Sequence, residues 1–449
     1  MIGSIIFSPL ISFLFIFSLL LVFILIKKPS VGFLIILSSL LAGQFLRLPL
    51  SVGGGVLFSD IFILLVLLVW FFKKLSTKKK FKKGSISLTF FSFSIFSFIS
   101  LVLGMRFLDS FLEFLLSFFY LFRFIEYGLL YFLVLDIIKS KKEKVFYIKT
   151  LIRIGLFLAI FGFIQLVIYP NFGEMAKLGW DPHIGRLLST WFDPNFCAGL
   201  FAFLTLICFG ILSKTKNKAD MLKLIISILI FSLALFFTYS RSGYLSLIIP
   251  LFLFGTFKMR KLLIIGFISC LLVWSLSERT QQRVGELYRT IISLSVNSAE
   301  SVDPTASHRI RSWLGAWEII KDNPVTGIGF NTFRFYSIKE GINSDVKTHS
   351  SGGSDSSILN IIIMTGFLGF FFYSLLVIEI FLTTAKIANN KKATNLDQGL
   401  AIGFFYGFLS ILLHSFFVNS LLFPFIMIFI WSFFALTEIT PKLKPEKHH

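Results

Sequence analysis

Apolar runs of about 17–25 residues follow one another along most of this chain, separated by short polar connections. Runs of that length match the hydrocarbon thickness of a bilayer when wound as helices. They predict about thirteen spans (12–14): residues 4–26, 31–48, 56–72, 86–104, 113–138, 147–169, 194–213, 221–239, 243–257, 261–277, 356–385, 398–418 and 421–438. The first run, Ile5 to Ile26, lacks a small-residue cleavage site and is read as a retained helix. The one long interruption runs from about Ser277 to Gly369. The expected architecture is therefore an all-α polytopic membrane protein with one long extracytoplasmic loop. It divides into ten spans over 1–276, the loop over 277–355, and three spans with a tail over 356–449.

Within the loop, Ile310, Trp313, Leu314, Trp317 and Ile320 recur at helical spacing, and Asp322-Asn323-Pro324 should end that helix. Its apolar side would face the bundle or the lipid interface. Ser350 to Ser354 is a Ser/Gly run suited to a gate. The loop re-enters the apolar region at Asp355-Ser356-Ser357-Ile358-Leu359-Asn360, ahead of Gly366-x-x-Gly369. Those glycines should thin the helix and let a neighbour or substrate approach.

Composition agrees with a membrane location: 56% of residues are hydrophobic, 60 are Phe, and only 15% are charged. The formal charge of +20 does not point to nucleic acid, because the lysines sit in short clusters between apolar runs. Clusters at Lys27-Lys28, Lys73 to Lys83, Lys139 to Lys144, Lys214 to Lys223, Lys258 to Lys261, Lys386 to Lys392 and Lys442 to Lys447 all fall on one side, cytoplasmic by the positive-inside rule. The long loop, the segment Pro170 to Asn195 and the turn at Arg241 then face out. Cys197, Cys208 and Cys270 lie in apolar segments and offer neither a disulfide framework nor metal spacing. No Walker loop or dinucleotide fingerprint is present.

Candidate chemistry gathers on the outer side. Arg186 and Arg241 stand at span ends. Each either snorkels to lipid phosphates or points into an outward cavity, where guanidinium forks clasp a phosphate-bearing substrate. Arg309 and Arg311 either join them or solvate their helix. Asp193 or Asn195 is suited to cap the span that follows, and Gly243 to a tight reversal. Asp355 is either the N-cap of the next span or a general base, and His349 either a reserve base or a loop histidine. Arg123 and Glu126 form a structural pair within a span.

Together these outer motifs resemble the O-antigen polymerase and O-antigen ligase superfamily. The resemblance rests on Gly185-Arg186-Leu187 with Asp193-Pro194-Asn195, and on Thr238-Tyr239-Ser240-Arg241-Ser242-Gly243. It continues through Arg309-x-x-x-Trp313, Asn323-Pro324-x-x-Gly327-x-Gly329-x-x-x-Phe333 and Gly366-x-x-Gly369, covering roughly residues 185–370. It implies a fold like that of the C-type glycosyltransferases, in the bacterial cytoplasmic membrane with the active site facing the periplasm. The substrates implied are undecaprenyl-pyrophosphate-linked oligosaccharides, as donor and as acceptor, with a chain-length regulator as a further partner. Arg186, Arg241, Arg309 and Arg311 would hold pyrophosphate, and Asp355 or His349 would act as base, with no metal and no other cofactor. Ligases of the family carry His at the position of Asp355. His349 lies too far upstream to fill that slot without an insertion, and the departure favours a polymerase. Rival readings are a ligase or protein O-oligosaccharyltransferase, and, in another class, a flippase. A flippase should show inverted repeats and broken helices, neither of which the sequence displays.

Overall fold

The computed structural model describes residues 22–49, 55–178, 180–257, 281, 285, 304–341 and 353–439. The chain is all-α and polytopic, with eight described helices long and apolar enough to cross a bilayer. In chain order the main elements are α1 (Pro29–Ala42), a hairpin of β1 (Arg47–Pro49) and β2 (Gly55–Leu57), α2 (Phe58–Ser76), α3 (Ser87–Leu103), α4 (Phe111–Ile137) and α5 (Lys141–Ile168). There follow α6 (Pro194–Leu212), α7 (Lys218–Phe237), α8 (Arg241–Phe257), α9 (Pro304–Asp322), α10 (Phe333–Lys339), α11 (Ser357–Ala388), α12 (Asn395–His414) and α13 (Pro424–Ile439). Most of the expected spans 4–26 and 261–277 lies outside the described residues, as does His349.

The described lysine-rich connections gather at one end of the bundle. There Lys74 pairs with Asp136 at 2.8 Å and Lys144 with Asp397 at 2.7 Å. The segments expected on the outer side gather at the opposite end. Gly43 approaches Thr190, Gly104 approaches Ile328, Leu187 N–H donates to Phe237 O, and Ser357 N–H donates to Ser415 O. At the centre, α6 and α12 pack backbone to backbone. A Cβ on Gly210 would lie 2.1 Å from Gly403 N, the small-residue contact that membrane helices use. Arg123 does not pair with Glu126 as expected. It pairs with Asp60 at the start of α2 and also donates to Gly55 O in the hairpin. Asp60 wins because it reaches the guanidinium directly while also accepting from Tyr127 and Leu57 N–H, so both charges are satisfied in the apolar interior.

Contrary to expectation, one long helix is broken. Gly366, the tenth of 32 residues in α11, has φ +63° and a non-helical backbone. The break leaves backbone groups unsatisfied, which is costly in an apolar environment. The loop after α9 supplies the missing partners. Phe367 N–H donates to Pro324 O (2.7 Å) and Leu368 N–H to Val325 O (3.3 Å). In return Ile328 N–H donates to Ile363 O (2.9 Å) and Gly329 N–H to Met364 O (3.1 Å). Ser100 Oγ of α3 closes the junction by donating to Thr326 O and Met364 O. The Asn323-Pro324-x-x-Gly327-x-Gly329 and Gly366-x-x-Gly369 motifs are thus two halves of one module, and the neighbour that the glycines admit is backbone.

This module gives a stability prediction. A Cβ at position 366 would meet Val325 O at 2.2 Å. The left-handed conformation alone costs a non-glycine residue ~1–3 kcal/mol. Gly366→Ala should therefore lower the melting temperature in detergent well below wild type. Gly315→Ala on α9, with nothing within 4 Å of its Cβ, should not. Equal melting of Gly366→Ala and wild type would show that this module does not stabilise the bundle.

Candidate active site at one end of the bundle

The site begins with Asp193. Its Oδ1 accepts from Asn195 N–H (2.6 Å) and Phe196 N–H (3.1 Å), making it the N-cap of α6. Capping frees the Asn195 side chain to face away from its own helix. Asn195 Oδ1 accepts from Arg186 Nη2 at 3.3 Å and from Ser240 Oγ at 2.9 Å. Arg186 is half-buried and is tied further by Nε to Thr238 O at 2.7 Å. Two of its nitrogens thereby fix the guanidinium plane against the turn that leads into α8.

That turn reverses at Tyr239, whose φ is +50°, and not at Gly243 as the sequence suggested. Gly243 lies inside α8, where a Cβ would press on Ala198 at 2.5 Å; its small size serves helix packing. Arg241 is the first residue of α8, half-buried, and directly between Ser240 and Ser242. Ser240 and Ser242 are bonded to each other at 3.1 Å.

From Ser242 the network passes to His414, the last residue of α12. His414 is fully buried, with Nε2 bonded to Ser242 Oγ (3.3 Å) and Nδ1 to Ser420 Oγ (2.6 Å). Gly199 on α6 leaves room for the ring, since a Cβ there would lie 3.0 Å from Nδ1. Arg309 of α9, half-buried, is within electrostatic reach of the imidazole. Arg311 is exposed on the same helix. The helix buries Ala316, Ile319 and Ile320, while Leu314 and Trp317 of the expected apolar stripe are exposed.

Asp355 reaches the same place from the other side. Its N–H donates to Ser312 Oγ (3.3 Å), one turn beyond Arg309 on α9. Asn360 and Asn419 hold the preceding residue through three bonds to the Ser354 backbone, at 2.7–2.8 Å, and are bonded to each other. The cap of α11 is Ser356, whose side chain accepts from Leu359 N–H, so the expected capping role of Asp355 is corrected. The Asp355 carboxylate is half-buried and takes no hydrogen bond from any described residue.

A hydrogen-bonded chain thus runs from Arg186 through Asn195, Ser240 and Ser242 to His414, with Arg241 between the two serines in sequence, Arg309 in electrostatic reach of His414, and Asp355 tied by its backbone to Ser312 of α9; Arg311 is exposed on that helix. Sequence reasoning missed His414, Asn419 and Ser420. Their signal was a small polar cluster, His414-Ser415 and Asn419-Ser420, between two apolar runs, where polar side chains mark sites more often than lipid-facing surface. Beside the site, Asp181, His183 and Asp193 bring their ligand atoms within 4.8 Å of one another and could hold a metal ion. The Asp193 oxygen that caps α6 is already engaged by two amides.

The family model described as O-Antigen ligase matches residues 226–374, which include Arg241, Arg309, the loop after α9, Asp355 and the break in α11. Over that stretch the chain is similar to the O-antigen ligase family, which supports the O-antigen ligase and polymerase superfamily. No curated protein matches the chain. The superfamily match spans less than half of the 449 residues. Arg186 precedes it and His414 follows it, yet both are hydrogen-bonded into the part it covers.

Proposed function

We propose that the protein is an O-antigen-type polysaccharide polymerase. It transfers a glycan from undecaprenyl pyrophosphate to a hydroxyl of another lipid-linked repeat unit, on the periplasmic side of the bacterial inner membrane. The observation that supports this reading is the network from Arg186 through Asn195, Ser240 and Ser242 to His414, with Arg309 in electrostatic reach of that histidine and Asp355, whose carboxylate takes no hydrogen bond from any described residue, tied by its backbone to the same helix as Arg309. Guanidinium forks suit pyrophosphate oxygens, and in a partly dry recess each such bond is strengthened. The donor's leaving group is already a pyrophosphate, so acid assistance is secondary. Arg186 and Arg241 hold it and stabilise the charge it gains as the glycosidic bond breaks, with Arg309 assisting. Asp355 removes the acceptor hydroxyl's proton as its oxygen attacks the anomeric carbon on the face opposite the leaving group. The new bond has inverted configuration, and the pyrophosphate departs with the bonding pair.

The family description, O-Antigen ligase, favours a second reading, transfer to a different acceptor. One reaction separates the two. Purified protein supplied with a single defined lipid-linked repeat unit should make a ladder of lengths. A ligase would leave that substrate unextended until another acceptor is added. Chelation with EDTA should leave the ladder unchanged. Its loss on chelation, restored by a divalent cation, would move the mechanism to Asp181, His183 and Asp193.

A further inference from the structure

The hydrogen bonds around His414 run in one direction, and Arg186 sets it. A guanidinium only donates, so the Asn195 atom that takes Arg186 Nη2 is the amide oxygen. That oxygen carries no proton, so Ser240 donates its single O–H to it, at 2.9 Å. Ser240 then has only lone pairs left. One takes Gly243 N–H, and another takes the Ser242 O–H across 3.1 Å. With its own proton spent, Ser242 Oγ can meet His414 Nε2, 3.3 Å away, only as an acceptor. The ring therefore carries a proton on Nε2. A second proton, on Nδ1, would leave a charged ring fully buried. No carboxylate is bonded to it among the described residues, and the like charge of Arg309 is within reach. Nδ1 is thus a lone pair, and it accepts from Ser420 Oγ at 2.6 Å.

The Ser420 end of this chain grips the backbone on both sides of Asp355. Asn419 Nδ2 donates to Ser354 O (2.7 Å), and Leu421 N–H donates to Ser357 Oγ (3.2 Å). Ser415, next to His414, takes Ser357 N–H on its carbonyl at 2.9 Å. The Ser242 end holds the turn that carries Arg241 and, through Asn195 and Thr238, fixes Arg186. We infer that His414 is a positioning residue, a neutral imidazole protonated on Nε2 that keeps the turn bearing Arg241 in register with the segment bearing Asp355. This rests on the reading in which the arginines hold the leaving pyrophosphate and Asp355 takes the acceptor's proton. That reaction needs the two groups at a fixed separation, on opposite faces of one anomeric carbon. A rigid ring with a nitrogen bonded at each end fixes the spacing between the segments that bear them.

One measurement reads the proton directly, by nuclear magnetic resonance of the full-length chain with isotope-labelled histidine in nanodiscs. The His414 signal, identified by its loss in His414→Gln, should show a one-bond N–H coupling on Nε2 and a bare Nδ1. A proton on Nδ1 would overturn the inference. A second measurement separates the two ends of the ring. Ser242→Ala and Ser420→Ala each remove one hydroxyl and leave the histidine in place. Ser242→Ala should weaken binding of farnesyl pyrophosphate, the probe for the donor's anion, roughly tenfold. Ser420→Ala should bind the probe as wild type does, yet extend chains roughly tenfold more slowly at saturating donor, because what it loosens is the segment bearing the base. A role in folding alone would move both variants together. Equal changes in affinity and rate for the two, or a wild-type rate in Ser420→Ala, would overturn the inference. The proton's position and the probe's affinity do not depend on polymerisation. Both as expected, without a ladder from wild type, would refute the polymerase reading alone. A wild-type ladder with the proton on Nδ1 would refute this inference alone.

Discussion

Arg186→Lys should reduce chain extension by about 10²–10³-fold while the protein still accumulates and melts near wild type, the loss typical when one preorganised donor to a developing charge is removed. Lysine keeps the positive charge, so an effect of charge alone would leave most of the activity. What it removes is the planar fork. Arg186 uses Nε on Thr238 O and Nη2 on Asn195 Oδ1, and those two bonds aim the rest of the group. A lysine ammonium cannot make both bonds and also offer a fixed edge to phosphate. Asn195→Ala provides the comparison. It removes one aiming bond and leaves the guanidinium, so extension should fall by a smaller factor, about tenfold for a bond worth ~1.5 kcal/mol. The measurement is the rate of ladder formation from a defined lipid-linked repeat unit. Full activity in Arg186→Lys would remove Arg186 from the reaction.

Much of this arrangement was legible from the chain itself, for identifiable reasons. Apolar runs of span length fix where helices cross, and lysine clusters fix which connections share a side. Arg186, Arg241 and Asp355 stand where apolar runs stop, so they had to share an end of the bundle. What remained hidden depended on three-dimensional partners. Nothing local to Arg123 says that Asp60, 63 residues away, will outcompete Glu126 one turn along the same helix. Nothing in the Asn323–Gly329 motif says that it repairs a broken helix, because the break and its repair lie on separate segments. A lone Gly366 in an apolar run reads as a packing residue until its φ of +63° is seen. His414 was overlooked because a single histidine at a span end has no spacing signature. Its importance lies in being bonded to α8 and to the α12–α13 connection together.

Asp355→Asn should be more damaging still, with the transfer rate falling by about 10²–10⁴-fold, the usual worth of a positioned general base. The structure makes this a cleaner substitution than the sequence implied. Had Asp355 capped α11, any change there would have mixed lost chemistry with lost stability. The cap is Ser356, and the backbone around Asp355 is held by Asn360, Asn419 and Ser312 through groups that the substitution does not touch. Asparagine is nearly the same size as aspartate, so the fold and the arginine cluster should be unaffected, but its amide cannot accept the hydroxyl proton. The maximal rate should therefore collapse while the donor's KM stays close to wild type, since the arginines that hold the pyrophosphate are intact. Ser356→Ala supplies the opposite case: a loss of about 1 kcal/mol in stability with the base in place, and near-normal turnover at permissive temperature. If Asp355→Asn extends chains at the wild-type rate, the proton must leave by another route, and the carboxylate at the mouth of α11 has no part in the chemistry.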